Sequence, residues 1–95
     1  MSFWVYILRC SDGYYYAGHT EHLEQRIAEH KEGNMPGYTS AKRPVELVFS
    51  EEFSTRAEAL ASERQMKGWS RKKKEAMMRR DWAEVARLSR KAASN

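Results

Sequence analysis

The chain has 95 residues, of which 41% are hydrophobic and 12% aromatic, and its formal net charge is +4 at pH 7. This length suits one domain with a thin core, and no apolar run approaches the ~20 residues that a membrane-spanning helix needs. The single cysteine, Cys10, excludes an internal disulfide, and the three histidines are not spaced to complete a structural zinc site. Because residues 1–8 lack the basic leader of a signal peptide, we expect a cytoplasmic protein without a membrane partner.

The first elements in chain order form a predicted β-hairpin. Apolar residues alternate over two segments, Phe3–Leu8 and Tyr14–Gly18. Between them lies a turn-forming cluster at residues 11–13. If the loop has three residues, with Gly13 in the left-handed conformation, Tyr6 opposes Gly18. Tyr6 and Tyr16 then share one face of the sheet. A loop of two residues would instead place the two tyrosines on opposite faces.

One further strand and four helices follow the hairpin. We expect a first helix over about residues 21–32, a loop at residues 34–40, a strand after Pro44, and a basic helical part from about residue 70 to 92. Residues that can cap or end a helix mark the boundaries: Thr20, Gly33, Thr55, Gly68, Ser70 and Asp81. The order β-β-α-β-α-α-α predicts one α+β domain over residues 1–95, with a small three-stranded antiparallel sheet flanked by helices.

Positive charge is concentrated in the C-terminal third of the chain. Residues 1–63 carry 6 basic and 10 acidic side chains, whereas residues 64–95 carry 11 and 3, which gives net charges of −4 and +8. Such a basic helical surface suits a polyanion such as nucleic acid, whose counterions are released on binding. A solvated helix face is the alternative interpretation. Four cations are the candidate nucleic-acid contacts: Lys72, Lys73, Arg79 and Arg80.

Three groups of side chains are candidates for a functional site, although packing can also explain them. Glu63 falls on the helical stripe of Ala59 and Met66 that should face the core, so its carboxylate must either pair with a cation such as an arginine or ligate a metal. Arg26 and His30 lie one helical turn apart beside an apolar stripe, as they also would on an ordinary amphipathic helix. Tyrosines cluster on the two hairpin strands, where cross-strand packing alone would also explain them.

These positions resemble the active-site pattern of the GIY-YIG nucleases. Trp4-Val5-Tyr6 and Tyr16-Ala17-Gly18 are similar to the two tripeptides that name the family, with tryptophan in place of the first glycine and alanine in place of the second isoleucine. Three further residues follow in the family's order and approximate spacing: Arg26, His30 and Glu63. The resemblance covers about residues 2–80 and is to the small stand-alone bacterial members. It implies the GIY-YIG fold.

The resemblance also implies a metal-dependent endonuclease that hydrolyses phosphodiester bonds in nucleic acid, in DNA rather than RNA, during repair or recombination. It assigns five catalytic residues: Tyr6, Tyr16, Arg26, His30 and Glu63. Glu63 would hold one Mg²⁺ or Mn²⁺ ion, Arg26 would stabilise charge on the phosphate, and Tyr16 would position phosphate or water. Tyr6 resembles the family's general base, whereas His30, with a reference pKa of ~6.5, is chemically the easier base or a proton relay.

Two residues of the second strand are further candidates for contact with nucleic acid. Gly18 leaves space beside Tyr6 for a substrate backbone, and His19, before a helix start, can contact a phosphate. The sequence lacks a base-reading motif, so we expect a partner protein to supply specificity. Two other functions stay open: a catalytically silent nucleic-acid-binding protein and a protein-interaction module.

Overall fold

A computed structural model describes residues 2–33 and 42–93. In chain order the elements are β1 (Phe3–Arg9), β2 (Tyr15–Thr20), α1 (Leu23–Glu32), β3 (Glu46–Phe53), α2 (Arg56–Lys67), α3 (Arg71–Met78) and α4 (Trp82–Ala93). This confirms the predicted α+β class, element order and three-stranded antiparallel sheet. The loop expected at residues 34–40 lies outside the described ranges. Among the helices of these ranges, none has the length and apolar character of a membrane span.

The hairpin between β1 and β2 has the three-residue loop. Gly13 has a φ of +86°, and its N–H donates to the Cys10 carbonyl at 2.9 Å, while the Cys10 N–H donates to the Tyr14 carbonyl at 2.8 Å. The pairs that follow along the strands are Leu8 with Tyr16 and Tyr6 with Gly18. Of the two loop lengths that the sequence left open, the structure thus has the three-residue one. Alternate residues of a strand share a face, so the two tyrosines of the predicted site face the same side.

The sheet separates two apolar layers, with strand order β2-β1-β3. Helices α2, α3 and α4 cover one face, and the buried side chains there are Val5, Ile7, Ala17, Phe49, Ala59, Met66, Ala76, Met77 and Val85. Helix α1 covers the other face, and the buried side chains there are Tyr6, Leu8, Cys10, Ile27 and Val45. Since β2 is an edge strand, residues from both layers can approach each other around it.

Side-chain caps begin the last three helices as predicted. Each capping oxygen accepts a hydrogen bond at 3.1–3.2 Å from the N–H three residues later, at Thr55, Ser70 and Asp81. The prediction for Thr20 was wrong. Thr20 stays in the β ladder opposite Trp4, and its hydroxyl accepts from the His22 N–H at 3.0 Å, so α1 begins at Leu23. Strand pairing has outweighed the local capping preference at this position.

Arg80 joins the end of α3 to β3. Its φ is +56°, its guanidinium donates to the Ser50 carbonyl at 3.3 Å, and it lies 3.8 Å from a Glu51 carboxylate oxygen and 5.2 Å from the Phe49 ring centroid. Strand β3 is the edge of the sheet opposite to β2. Arg80 thus has contacts that hold the fold, and its predicted contact with nucleic acid stays a prediction.

We expect Arg80→Gln to lower the free energy of unfolding by about 0.5–1.5 kcal/mol, because the variant loses the hydrogen bond and ring contact that hold α3 against β3. Arg79→Gln is the matched control, since it removes the same charge from the neighbouring exposed position. Urea denaturation of both variants measures the difference. Equal losses in the two would show that the contacts of Arg80 contribute nothing measurable.

Candidate active site

Two buried side chains form the centre of the predicted site. Tyr6 from β1 and His30 from α1 are each 2% exposed, and the Tyr6 hydroxyl lies 3.0 Å from His30 Nε2. The Tyr16 ring centroid lies 6.4 Å from that of Tyr6 and 5.3 Å from that of His30. Three of the five predicted catalytic residues therefore form one aromatic cluster on the sheet face that α1 covers.

Burial sets the protonation of this pair. Burial, assisted by the Arg26 guanidinium, lowers the pKa of His30 below its usual 6.5, so the imidazole is neutral at pH 7. Burial also raises the pKa of the Tyr6 phenol far above 10, and Tyr16 adds to the shift. The phenol O–H donates to Nε2 when the neutral imidazole carries its own proton on Nδ1. Tyr6 keeps its proton at neutral pH, and its oxygen lies within hydrogen-bond distance of His30.

Gly18 lies directly under the Tyr6 ring. A Cβ at this position would lie 2.6 Å from the Tyr6 hydroxyl oxygen and 2.7 Å from Cζ, which is closer than real side chains approach. Glycine therefore allows the phenol to cross β2 and reach His30. The space that we expected to receive a substrate backbone is filled by the phenol, because the ring packs flat against the paired strand.

Glu63 lies on α2, on the other side of the sheet. It is 7% exposed, its Oε1 accepts a short hydrogen bond from His19 Nδ1, and Lys67 Nζ lies 2.6 Å from its Oε2. Burial acts to raise the pKa of this carboxyl, but the hydrogen bonds from Lys67 and His19 together hold the pKa below its usual 4.5. Glu63 is therefore ionised at neutral pH. The predicted pairing with a cation is present, with Lys67 in place of an arginine.

A cavity of about 290 Å³ at the edge of β2 brings the two sides of the sheet together. The residues that line it are Phe3, His19, Thr20, Glu21, His22, Arg26 and Arg56. His19 reaches this cavity while it bonds to Glu63, and Arg26 reaches it from α1, held by Glu29 at 3.4 Å. The charges of Arg26 and Glu63 both act on the pKa of Tyr6, in opposite directions. Arg26 thus lines this cavity directly and Glu63 is linked to it through His19, whereas Tyr6, Tyr16 and His30 form the aromatic cluster under α1.

The amino-acid sequence matches the GIY-YIG catalytic domain family over residues 2–76. The chain belongs to the GIY-YIG family. The family model describes a catalytic domain, so the chain has the domain of a nuclease family, as the resemblance implied.

Several GIY-YIG relatives are of similar length. A UPF0213 protein of Bacillus pumilus (strain SAFR-032) is 46% identical over 76% of this chain and 74% of that protein. The solution NMR structure of the UPF0213 protein BH0048 from Bacillus halodurans is 39% identical, with a TM-score of 0.54, and the match covers 81% of this chain and 82% of that one. That of the protein EF2693 from E. faecalis is 35% identical, with a TM-score of 0.60 and coverages of 87% and 88%. These structures support the fold.

Glu63 is the residue that would hold the metal expected of a GIY-YIG nuclease. No group of three or more His, Cys, Asp or Glu side chains there could hold an ion by itself. The Glu63 carboxylate suits Mg²⁺ or Mn²⁺ bound through one carboxylate, with water and phosphate oxygens as the other ligands. Lys67 now contacts Oε2, so an ion at this oxygen requires the ammonium to move. The Lys67 side chain is 56% exposed, which leaves it room to do so.

Three cations outside the list of candidate nucleic-acid contacts lie near the GIY-YIG site. Lys67 contacts Glu63, and Lys74 lines a cavity together with Tyr16. Arg71 lies 4.7 Å over the Tyr15 ring. A sequence signal existed for Lys67, which follows Glu63 by four residues on the same helix, a spacing that favours ion pairs. The roles of Lys72, Lys73, Arg79 and Arg80 in binding nucleic acid stay predictions.

We expect Gly18→Ala to displace the Tyr6 ring and break its bond to His30, which should lower the free energy of unfolding by about 1–3 kcal/mol. Gly68→Ala is the matched control, because its Cβ would meet only the Gln65 carbonyl oxygen, at 3.6 Å, and Gly68 has a right-handed helical conformation. That variant should be neutral or slightly more stable. Chemical denaturation compares the two, and equal stabilities would show that the ring adapts without cost.

Proposed function

We propose that this protein is a single-domain cytoplasmic GIY-YIG endonuclease that hydrolyses phosphodiester bonds of DNA with one Mg²⁺ or Mn²⁺ ion at Glu63. The observation that carries the proposal is the buried hydrogen bond from Tyr6 to His30, at 3.0 Å, with Arg26 and Glu63 close enough to shift the pKa of the phenol. Packing alone does not require a phenol, an imidazole, a guanidinium and a carboxylate around one strand edge.

Arg26 is the proposed phosphate-binding residue. Its side chain is 38% exposed and lines the cavity at the edge of β2, so a phosphate can reach the guanidinium from solvent. The planar group donates two parallel hydrogen bonds to phosphate oxygens and keeps its charge at all relevant pH values. His19 lines the same cavity, and in this proposal it positions the Glu63 carboxylate.

Tyr6 and His30 act in series as a proton relay. The attacking water gives one proton to the Tyr6 oxygen as the Tyr6 proton passes to His30 Nε2, and the resulting hydroxide forms the new bond to phosphorus. The P–O bond to the leaving strand breaks in the same displacement. Since the lone pair of neutral His30 accepts the proton, the high pKa of Tyr6 does not prevent the transfer. The relay thus assigns a part to both residues that the sequence offered as alternative bases.

Glu63 is the proposed metal ligand. Its ionised carboxylate needs no deprotonation at neutral pH, because Lys67 and His19 keep its pKa low. When bound, the ion neutralises charge on the phosphate and on the leaving oxygen. Tyr16, whose ring packs against His30, is the proposed positioning residue for phosphate or water.

One observation favours a second function, a nucleic-acid-binding protein without catalytic activity. Both carboxylate oxygens of Glu63 are paired, one with His19 and one with Lys67. If these pairs persist when substrate and metal are present, the carboxylate is a structural group. The basic C-terminal part would then bind nucleic acid without cutting it, and a partner protein would supply any further activity.

We expect Mg²⁺- or Mn²⁺-dependent cleavage on at least one member of a panel of single-stranded, duplex and flap DNA and RNA, with DNA preferred. Glu63→Gln should lower the rate at least ~100-fold, because it keeps the side-chain volume and removes the anionic ligand. Glu84→Gln is the matched control, since it neutralises a half-buried carboxylate that also pairs with a cation, Arg87, outside the candidate site, and it should cut at the parent rate. A Glu63→Gln variant with the parent rate contradicts the metal assignment, and binding without any cutting by the parent protein supports the second function.

We expect the cleavage rate to be constant above the pKa of His30, which lies below 6.5, and to fall at lower pH as His30 takes up a proton and no longer accepts one from Tyr6. Glu63 does not cause this fall, because Lys67 and His19 hold the pKa of its carboxyl below its usual value. Tyr6→Phe should lose ~10²–10⁴-fold in rate. Tyr14→Phe, at an exposed tyrosine, should lose nothing.

A pH–rate profile of the parent protein and both variants is the measurement. A parent rate that continues to rise towards pH 10 would mean that ionised Tyr6 is the base without His30, and the relay would be wrong. A Tyr6→Phe variant as active as Tyr14→Phe would remove Tyr6 from the mechanism.

A further inference from the structure

A second cavity, of about 310 Å³, lies beside the candidate active site along β2. The residues that line it are Ile7, Tyr15, Tyr16, Ala17, Lys67 and Lys74. We propose that this cavity binds the nucleotide next to the scissile bond through that nucleotide's phosphate. The proposal rests on the proposed function, because a second nucleotide site has this meaning only beside a site that holds the first phosphate.

Two residues connect this cavity to the active site. Lys67 lines the cavity, and its Nζ lies 2.6 Å from Glu63 Oε2. Tyr16 also lines the cavity, and its ring centroid lies 5.3 Å from that of His30. If a nucleic-acid strand has one phosphate at Arg26 and Glu63, its next nucleotide can therefore enter this cavity, which lies beside the active site along β2.

The backbone of β2 offers donors to a phosphate here. The Cys10 N–H donates to the Tyr14 carbonyl, which sets the phase of the antiparallel ladder. Because hydrogen-bonded and non-hydrogen-bonded pairs alternate, the N–H groups of Tyr15 and Ala17 point away from β1, towards the outer edge of the sheet. Because β2 is an edge strand, no further strand of the described part of the chain pairs with these N–H groups. Tyr15 and Ala17 both line the cavity, so their N–H groups are available to a phosphate bound there.

The charges around the cavity favour an anion at its inner end. Lys67 and Lys74 supply two ammonium groups, and phosphate oxygens accept hydrogen bonds from ammonium and backbone N–H groups alike. Glu75 opposes an anion at the hairpin end, where it accepts from the Tyr15 hydroxyl at 3.0 Å and pairs with Arg71 at 3.3 Å. Lys67 also pairs with Glu63, at 2.6 Å, so the phosphate is placed between Lys67 and Lys74, and the sugar and base near the Tyr15 end.

The size of the cavity limits the ligand. Small-molecule sites usually measure about 300–1,000 Å³, so this cavity is at the lower end and suits one nucleotide. The base would lie towards Tyr15, whose ring already has the Arg71 guanidinium 4.7 Å from its centroid. Aromatic and guanidinium groups together bind bases of any sequence, so we infer that the site does not select a base.

The test is a titration of the metal-free full chain with thymidine 3′,5′-bisphosphate, followed by two-dimensional NMR, with thymidine as the probe that lacks phosphate. We expect Lys74→Gln to weaken bisphosphate binding about tenfold, as for loss of one charge-assisted hydrogen bond. Lys74→Arg should retain most of the affinity. Lys31→Gln is the matched control, because it removes the same charge from an exposed position of α1 outside the cavity lining, and it should change the dissociation constant less than about twofold. Unchanged spectra of the free variants establish that each is folded.

Two outcomes overturn the proposal. Equal weakening by Lys74→Gln and Lys31→Gln would mean general attraction of an anion to a positively charged protein. Thymidine that shifts the same resonances as the bisphosphate would mean that the phosphate is not recognised. Because the titration needs no metal and no cleavage, a protein that binds with the Lys74 preference but cuts no substrate contradicts the nuclease proposal alone, and a protein that cuts without this preference contradicts the nucleotide site alone.

Discussion

The contact between Tyr6 and Gly18 is the constraint on which the candidate site depends. A Cβ at Gly18 would lie 2.6 Å from the phenol oxygen, so only glycine lets the ring cross β2 and reach His30. The contact exists because Gly13, with a φ of +86°, closes a three-residue loop that pairs the two residues. A shift of one residue in this register would turn Tyr16 to the other face of the sheet and separate it from His30.

Electrostatic compensation makes the surrounding charges compatible with burial. An unpaired buried carboxylate would cost several kcal/mol, but Glu63 has Lys67 on one oxygen and His19 on the other. Arg26 has two effects, since its charge disfavours an imidazolium at His30 while its guanidinium faces the cavity at the edge of β2. An anionic carboxylate, a neutral imidazole and an accessible cation therefore coexist around one strand.

Much of the fold could be predicted because its signals are local. Alternation of apolar residues, a glycine in the turn, and the capping residues Thr55, Ser70 and Asp81 each act over a few positions of the chain, and all were confirmed. Thr20 shows where local reasoning fails, since pairing opposite Trp4 kept it in the strand. The family could be predicted as well, because the two tripeptides and the residues that follow them form one ordered pattern, which the match over residues 2–76 confirmed.

The sequence by itself thus determined the element order and the family, whereas the structure decided between the two hairpin registers that the sequence left open. Only the tertiary structure decided the partners of Glu63, since His19 is 44 residues away from it in the chain. The same holds for the packing of the Tyr6 ring against Gly18. The tertiary structure also decided that Lys67 and Lys74 line the cavity beside the site. The physical reason is that capping and turn formation depend on neighbouring residues, whereas these contacts arise where helices on opposite faces of a sheet meet around its edge strand.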